Sequence, residues 1–590
     1  MTLLIALTLS LASPSVPGDP TGAPQTEESV LAAYDLRGVM PRWDATPSWS
    51  QTLMVPPVGD PRAEQSWASP SYGELANFEL LDLLTQILGD ELRREGREIM
   101  VERDELTVLA PEAIQEQVRT VLEALRLALS GTIPVRVDAL VLGEGAGIDA
   151  AVPANILSDE EAARLVSTLV SRGAVHKSFL AELSAGRTAW IDARRRIPYV
   201  LDFDVEIAQS SVVFDPIEDA TYEGTRIGLH GLPVDGGLFL SVVVQRSDLL
   251  GAIASQQLDV TGRVGLPLTD RGDGHTAEFL PGPGTLQTPD LLARGLAFDT
   301  LLADGKALAV TIEADLGGRE SREVLVVRRL GGSMTAYVAR PIPRTNRTLI
   351  ALNSELFRRP RLISTGGAQN DGWGVPGAQV VAHFEDDVPG FLLEWLKVRF
   401  SIWRRFGPWM LIVTDPAWDR DAAAELDRLV KSRRSDDRVV VLGVDLRAQG
   451  RSSPLPVRVR VPVLQGSCVG LMVGRGMPFV AGYDVEVAQN AAVPDPAVSV
   501  SFEGLAMSVT LEPSMCETSG LAQLLDGPIT AFDPGYALLG PIQRPEPRFL
   551  RFDERLLLAE GAGAGRARVG VTSERTDEPG LTVELSFSAR

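Results

Sequence analysis

The sequence repeats itself at a fixed offset, and this constrains the fold more than any other feature. Tyr199-Val-Leu-Asp-Phe-Asp-Val-Glu-Ile-Ala-Gln209 returns 280 residues later as Phe479-Val-Ala-Gly-Tyr-Asp-Val-Glu-Val-Ala-Gln489. Each copy is followed by Asp-Pro (Asp215-Pro216, Asp495-Pro496) and then by an aromatic-Glu-Gly (Tyr222-Glu223-Gly224, Phe502-Glu503-Gly504). Without gaps, Gly186–Gly224 and Gly466–Gly504 share 14 identities in 39 positions, where composition alone would supply roughly two or three. The chain holds two copies of one unit, and its function must account for the doubling.

At 590 residues the chain is too long for one core and reads as about three to five domains. A hydrophobic content of 45% with 23% charged residues is that of a folded protein. The net charge of −22 speaks against binding nucleic acid or anionic lipid through bulk electrostatics, since both require a basic footprint. The densest basic runs, Arg194-Arg195-Arg196 and Arg358-Arg359-Pro360-Arg361, read as solvated strand-edge or loop charge. Residues 1–12, Met1-Thr-Leu-Leu-Ile-Ala-Leu-Thr-Leu-Ser-Leu-Ala12, read as the apolar core of an export signal, too short to span a bilayer. Cys468 and Cys516 both fall in the second copy, so a disulfide is no requirement of the fold. They read as buried thiols, with a bridge open to them only if their strands are neighbours.

The predicted class is α+β, two tandem copies of a small α/β domain followed by a β-rich domain. Residues 13–70 form an extended Pro/Ser-rich leader with one strand near Ala33–Val39. The first α/β domain is expected over 71–147. In it, Phe78, Leu80, Leu81, Leu84, Ile87 and Leu88 recur at helical spacing. Ile99–Val101 and Glu105–Leu109 form a strand pair. Pro111 opens a helix striped by Ile114, Val118, Val121, Leu122 and Leu125, and Val135–Leu142 is a closing strand. The first β-rich domain is placed at 155–345, a linker at 346–388, the second α/β domain at 389–447 and the second β-rich domain at 452–590. In the second α/β domain the signals are Leu392, Leu393, Trp395 and Leu396, the strand Met410–Val413, the stripe Trp418, Ala422, Leu426, Leu429 and Val430, and the strand Val439–Leu446. Alternating strands are read at Phe239–Val244, Ala307–Ile312, Val324–Val327, Leu505–Leu511, Ala567–Val571 and Leu581–Phe587, with Gly236-Gly237 as a hairpin turn. Ser158 and Glu161 make a capping box for a helix stopped by Gly173; the second copy has no room for it.

These patterns resemble the secretin family of bacterial type II and III secretion systems. The Leu106-Thr-Val-Leu-Ala-Pro111 strand leading into the helix around Val118–Arg126 is similar to the ring-building domains that precede a secretin core. Gly186-Arg-Thr-Ala189, the Pro-aromatic-Val steps (Pro198-Tyr199-Val200, Pro478-Phe479-Val480) and the Glu-Gly before an apolar strand are similar to the start of the secretin β-domain. The likeness covers about half of the chain. It implies an exported envelope protein, periplasmic or outer-membrane-associated, whose partners are its own copies in a ring or the components of a secretion system. The chain departs from the family in its doubled core. It also departs at Leu538-Leu539-Gly540-Pro541-Ile542, which echoes a family motif before Pro545 and Pro547 break it. A membrane pore is left open by the residues.

No chemical site emerges. His176, His230, His275 and His383 stand apart, with no ligand spacing between them. There is no Gly-x-Ser-x-Gly elbow or phosphate loop, and Gly561-Ala-Gly-Ala-Gly565 reads as a hairpin loop. Arg271-Gly-Asp273 is a turn, and no calcium-loop run of acids exists. Asp204 with Glu206, and Asp484 with Glu486, share a strand face, where two carboxylates could do acid–base work or hold a cation. They equally suit a solvated strand face. No catalytic, cofactor-binding or metal residue is assigned, and no cofactor is expected. The first reading is a non-enzymatic, self-assembling or complex-associated envelope protein. The alternative is a monomeric periplasmic scaffold or ligand-binding protein, and a remote third is a glycan-active enzyme using the paired carboxylates.

Overall fold

A computed structural model describes residues within 28–37, 51–54, 80–88, 97–143, 155–258, 284–353, 360–363, 379–384, 400–414, 428 and 439–589. The expected export signal, most of the leader, the turn expected at Arg271-Gly-Asp273 and the apolar stripes expected at 392–396 and 418–430 lie outside the described residues, apart from Arg428.

The described chain is mostly strand, and its largest body is a sandwich of two sheets. The first sheet has eight strands. Four come from the first copy: β8 (Thr188–Ala208), β9 (Ser211–Val234), β10 (Gly237–Leu249) and β13 (Leu291–Ala303). Four follow from the second: β24 (Cys468–Ala488), β25 (Ala491–Leu511), β26 (Met515–Leu525) and β29 (Pro547–Leu557). They lie side by side in chain order. In the second sheet the first copy supplies β5 (Thr132–Leu142), β7 (Val175–Ser184), β14 (Lys306–Leu316) and β15 (Arg319–Arg329). The second supplies β22 (Val439–Ala448), β23 (Val457–Leu464), β30 (Ala564–Val571) and β31 (Leu581–Ala589), giving the order β30-β31-β22-β23-β14-β15-β5-β7. A short strand, β6 (Asn155–Ser158), also pairs with β14.

Alternation decides which face is buried. Leu238, Leu240, Val242 and Val244 of β10 meet Val135 and Val137 of β5, and Val457, Val459, Val461 and Val463 of β23, in one core that runs through both copies. Successive side chains point to opposite faces, so every second residue enters that core. Truncating a fully buried member such as Leu240 would cost about 2–5 kcal/mol. Val324-Leu325-Val326-Val327 does not alternate because β15 is covered on both faces. Helix α2 (Asp159–Ser171) lays Ala162, Val166 and Leu169 on Val324 and Val326. Its capping box is formed as expected: Ser158 Oγ accepts from the Glu161 amide at 3.2 Å, and the Glu161 carboxylate accepts from the Ser158 amide at 2.8 Å.

The second body is built on helix α1 (Glu112–Leu129), which follows Pro111 and buries Ile114, Val118, Val121, Leu122 and Leu125. It packs with helical residues 80–88 and the sheet β1-β4-β3, made of β1 (Ser29–Asp35), β3 (Glu98–Glu102) and β4 (Glu105–Pro111). The sheet β16-β17-β21-β20 joins the same core through Leu349, Ala351, Trp409, Leu411 and Val413. Its strands are Tyr337–Ile342 (β16), Arg347–Asn353 (β17), Phe400–Phe406 (β20) and Trp409–Thr414 (β21). Three small sheets complete the chain. They are β18-β19-β2 (Pro360–Ile363, Gln379–Phe384, Gln51–Met54), β11-β12 (Ala254–Leu258, Gly284–Thr288) and β27-β28 (Thr530–Phe532, Ile542–Arg544).

Several expectations are corrected. Val135–Leu142 and Val439–Leu446 do not close small α/β domains. As β5 and β22 they sit inside the large sheet, each paired on both sides, because their apolar residues have a sheet-on-sheet core to fill. The two β-rich regions are not separate domains, since they share continuous sheets and one core. The linker expected from residue 346 begins with β17, and the leader supplies, besides its expected strand, which lies a few residues earlier as β1, the strand β2. Gly237, expected in the hairpin turn, instead opens β10 by pairing with Val234.

Candidate assembly interface

The repeat is visible strand by strand. Gly224 faces Ser247 on β10, and Gly504 faces Gln523 on β26; across the next pairing Ser247 faces Ala293 and Gln523 faces Phe549. Asp138 of β5 faces Ser178 and Val326, as Asp445 of β22 faces Arg458 and Glu584. Both long hairpins carry a bulge at the same place, between Val200 and Asp202 and between Val480 and Gly482. Gly224 and Gly504 have φ of 127° and 153°, and a Cβ at either would lie 2.4 Å or less from a carbonyl of the neighbouring strand. Glycine is therefore required at both.

Each copy also docks an inner hairpin on its bulge in the same way. The Gln287 side-chain oxygen, on β12, accepts from the Val200 amide at 2.8 Å. Gln543, on β28, accepts from the Val480 amide at 2.8 Å. A bulge leaves a backbone donor without a ladder partner, and the glutamine satisfies it.

The copies join edge to edge in both sheets. On one side of the sandwich β13 pairs with β24, from Leu291↔Gly476 to Ala297↔Gly470. On the other, β14 pairs with β23, from Thr311↔Arg460 to Ala314↔Val457. Charge crosses both seams: Arg475 Nε donates to Asp290 at 2.7 Å, and Arg458 lies 3.6 Å from Glu313. This seam is heterologous, because different edges of the same unit meet. It leaves two edges open. The first copy presents β8 and β7 with no further strand among the described residues, and the second presents β29 and β30. On β7, Val175 and Leu180 are 63% and 68% exposed.

Polar groups inside the sandwich differ between the copies. In the first, the buried Asp138 accepts from Arg328 at 2.7 Å and Arg136 at 3.1 Å, with His176 Nε2 at 2.9 Å. Burial pushes its pKa up, but the His176, Arg328, Ser178 and Arg136 hydrogen bonds outweigh this and leave it below the usual carboxylate range. In the second copy Asp445 is held by Arg458 at 2.8 Å and Arg460 at 3.0 Å. Ser241 Oγ donates to the buried Asp299 at 2.5 Å, and burial raises that carboxyl to about 6. The buried Arg294 and Glu323 and the partly buried Arg246 and Asp248 form a further group, with Arg294 at 3.2 Å from Asp248 and 3.9 Å from Glu323. Burial raises the Glu323 carboxyl and lowers the Arg294 guanidinium.

None of this is arranged as a reaction centre. The backbone sets Asp204 opposite Asp215 and Asp484 opposite Asp495 near the hairpin tips. Among the described residues no group of three or more His, Cys, Asp and Glu is placed to hold a metal, and no helix is long and apolar enough to cross a membrane. Cys468 and Cys516 are buried thiols. Their strands are separated by β25, so their backbones lie about two strand spacings, roughly 10 Å, apart, beyond disulfide reach. Burial pushes Cys516 up to about 12. The sequence reading missed Gln287, Gln543, Asp138, Asp445 and the seam itself. Aligning the copies with gaps would have found the first four.

No family's sequence model matches the chain, and no curated protein matches it. Among solved structures it is similar to secretins. The secretin-domain β-barrel of InvG from the Salmonella SPI-1 injectisome is 13% identical over 45% of this chain and 81% of that one, with a TM-score of 0.18. The type II secretion system secretin GspD from E. coli K12 is 11% identical over 43% and 58%, with a TM-score of 0.20. The type IV competence pilus secretin PilQ of V. cholerae is 10% identical over 42% and 75%, with a TM-score of 0.19.

Proposed function

We propose that this chain is an exported, non-enzymatic, secretin-like protein of the bacterial envelope that works by assembling with its own copies into a ring. One observation carries the reading: the two copies inside the chain already meet edge to edge in both sheets, through different edges of the same unit. A heterologous contact builds a ring when its repeated rotation closes and an open filament when it does not, and unpaired sheet edges template further pairing. Among the described residues the buried acids are paired with arginines or enclosed in the core, as structural charges are.

Size-exclusion chromatography with light scattering on the full chain, with and without detergent, tests this. A discrete oligomer of many chains is expected, visible as rings by electron microscopy. A monomer in both conditions would overturn the reading in favour of a scaffold or binding protein.

A further inference from the structure

The seam inside the chain says what the next chain should look like to the open edges. In the seam, the first copy contributes β13 and β14 and the second contributes β24 and β23. The repeat maps β13 onto β29, β14 onto β30, β24 onto β8 and β23 onto β7. These four counterparts are the edges with no further strand among the described residues: β29 and β30 lie together at one end of the sandwich, β8 and β7 at the other. Each end therefore carries the half of the seam that the other lacks.

We infer that the partner of each end is a second copy of this chain, joined by the seam's own register: β29 of one chain against β8 of the next, and β30 against β7. This rests on the self-assembly reading and specifies it. Carrying the pair Ala293↔Gly474 through the repeat gives Phe549↔Arg194, and Arg294↔Val473 gives Leu550↔Ala193. The same register sets Arg551 opposite Asp192 and Asp553 opposite Trp190. Both ends are suited to it. Leu180 on β7, 68% exposed, falls opposite Gly570 of β30 and would be covered. In sequence the counterpart of Arg475 is Arg195 and that of Asp290 is Glu546, so the basic and acidic characters persist. Arg195 falls opposite Arg548, and Glu223, 2.7 Å from Arg195, already offsets that charge.

Two consequences follow. The ring contains an even number of four-stranded units, two per chain, and alternate seams are covalently continuous. Register is checked by disulfide trapping in the full chain carrying Ala193→Cys with Leu550→Cys. These positions lie on the two outer edges of one eight-stranded sheet, six strands intervening, so a bond between them must join two chains. Mild oxidation should convert most of the protein to a ladder of covalent multimers on a non-reducing gel. A one-residue slip turns side chains to the opposite face, so Ala193→Cys with Arg551→Cys should give little ladder, and the unsubstituted chain, with its thiols buried, none. Assembly of the unsubstituted chain is scored separately by light scattering. Rings with no 193–550 ladder, or an equal ladder from 193–551, overturn the register while leaving self-assembly standing. Absence of rings overturns both. A variant pair that fails to form rings is replaced by Ile191→Cys with Phe552→Cys, the counterpart of Leu296↔Leu471, and a null there overturns the register as well.

Discussion

The two copies fill the same sandwich with different chemistry. The first sets the buried Arg294 and Glu323, with the partly buried Arg246 and Asp248, between its sheets. At the matching positions the second has Ala522, Leu524, Leu550 and Leu581. The backbone arrangement tolerates either solution, so the charges are not what the fold requires. Burying ions costs several kcal/mol each before their attraction returns it, and an apolar replacement of the whole set is often neutral or better. Removing one member is different, because it strands the others. Arg294→Leu alone should therefore lower unfolding stability by about 3–5 kcal/mol, since it leaves Glu323 buried with Arg246 as its remaining cation. The fourfold change to the second copy's residues should recover most of that loss in denaturant unfolding. A fourfold variant as unstable as the single one would mean that the first copy depends on its charges.

A second contrast lies along the neighbouring row. Ser241 and Asp299 occupy the places held in the second copy by Glu517 and Arg555, which form an ion pair of 2.7 Å near the surface. Asp299 has His230 near it in place of an arginine, and burial, only partly offset by the Ser241 hydrogen bond and by His230, raises its carboxyl from 3.8 to about 6. A raised carboxyl binds its proton more tightly when folded than when unfolded. Its contribution is neutral below pH 4, turns unfavourable as pH rises toward 6, and stays so above. Two units correspond to roughly 3 kcal/mol. Asp299→Asn, which keeps an acceptor for Ser241, should match the parent at pH 4 and exceed it by about that amount at pH 7. Equal pH profiles for the two proteins would rule this out.

Asp138 and Asp445 show the opposite case, one acid kept and its cations exchanged. Arg136 and Arg328 hold Asp138, whereas Gly443 and Ser586 stand at their places in the second copy and Arg460 reaches over Gly443 instead. Either Asp→Asn change should cost about 2 kcal/mol, in the range of charged hydrogen bonds. Asp138→Asn should cost more, because the Asp138 side chain is fully enclosed and that of Asp445 is 11% exposed. The Asp138 contribution is present above the ordinary carboxylate range and is lost as pH falls through its depressed value. Unfolding curves for both variants at neutral and acid pH check the order.

The sequence made the repeat legible only where the copies run without insertions. From β7 to β9 and from β23 to β25 the offset is constant, so identities accumulate in a gapless comparison. Beyond that the loops differ in length. Residues 259–283, between β11 and β12, outnumber those between β27 and β28, and α2 sits in the first copy alone. Past each length change a gapless alignment places strand against loop. Apolar alternation cannot restore it, since Val, Leu and Ala serve equally well in a half-buried strand. Helix α1 was legible because its stripe and Pro111 are local. The placement of β5 and β22 was not, because the strands beside them come from distant parts of the chain. The paired acids at 204–206 and 484–486 drew notice for their repetition, yet the residues that fasten each copy are single side chains beyond the length changes.

Gln287 and Gln543 are the clearest of these, and they give the most stringent equality between the copies. Each accepts one amide hydrogen bond, from Val200 and from Val480, at the same distance and at the same bulge. Replacing the glutamine by alanine removes the acceptor from the amide of Val200, which is half-buried, or of Val480, which is buried, a loss of about 1 kcal/mol. Because the geometry is the same in both, Gln287→Ala and Gln543→Ala should speed exchange of the Val200 and Val480 amides by similar factors, about fivefold for 1 kcal/mol. Each variant should leave the other copy's amide unchanged. If one hairpin loosens much more than its counterpart, the copies have diverged in how firmly they hold their inner hairpins. Equal responses would mean that the doubling preserved the docking of the inner hairpins while releasing the buried charges to vary.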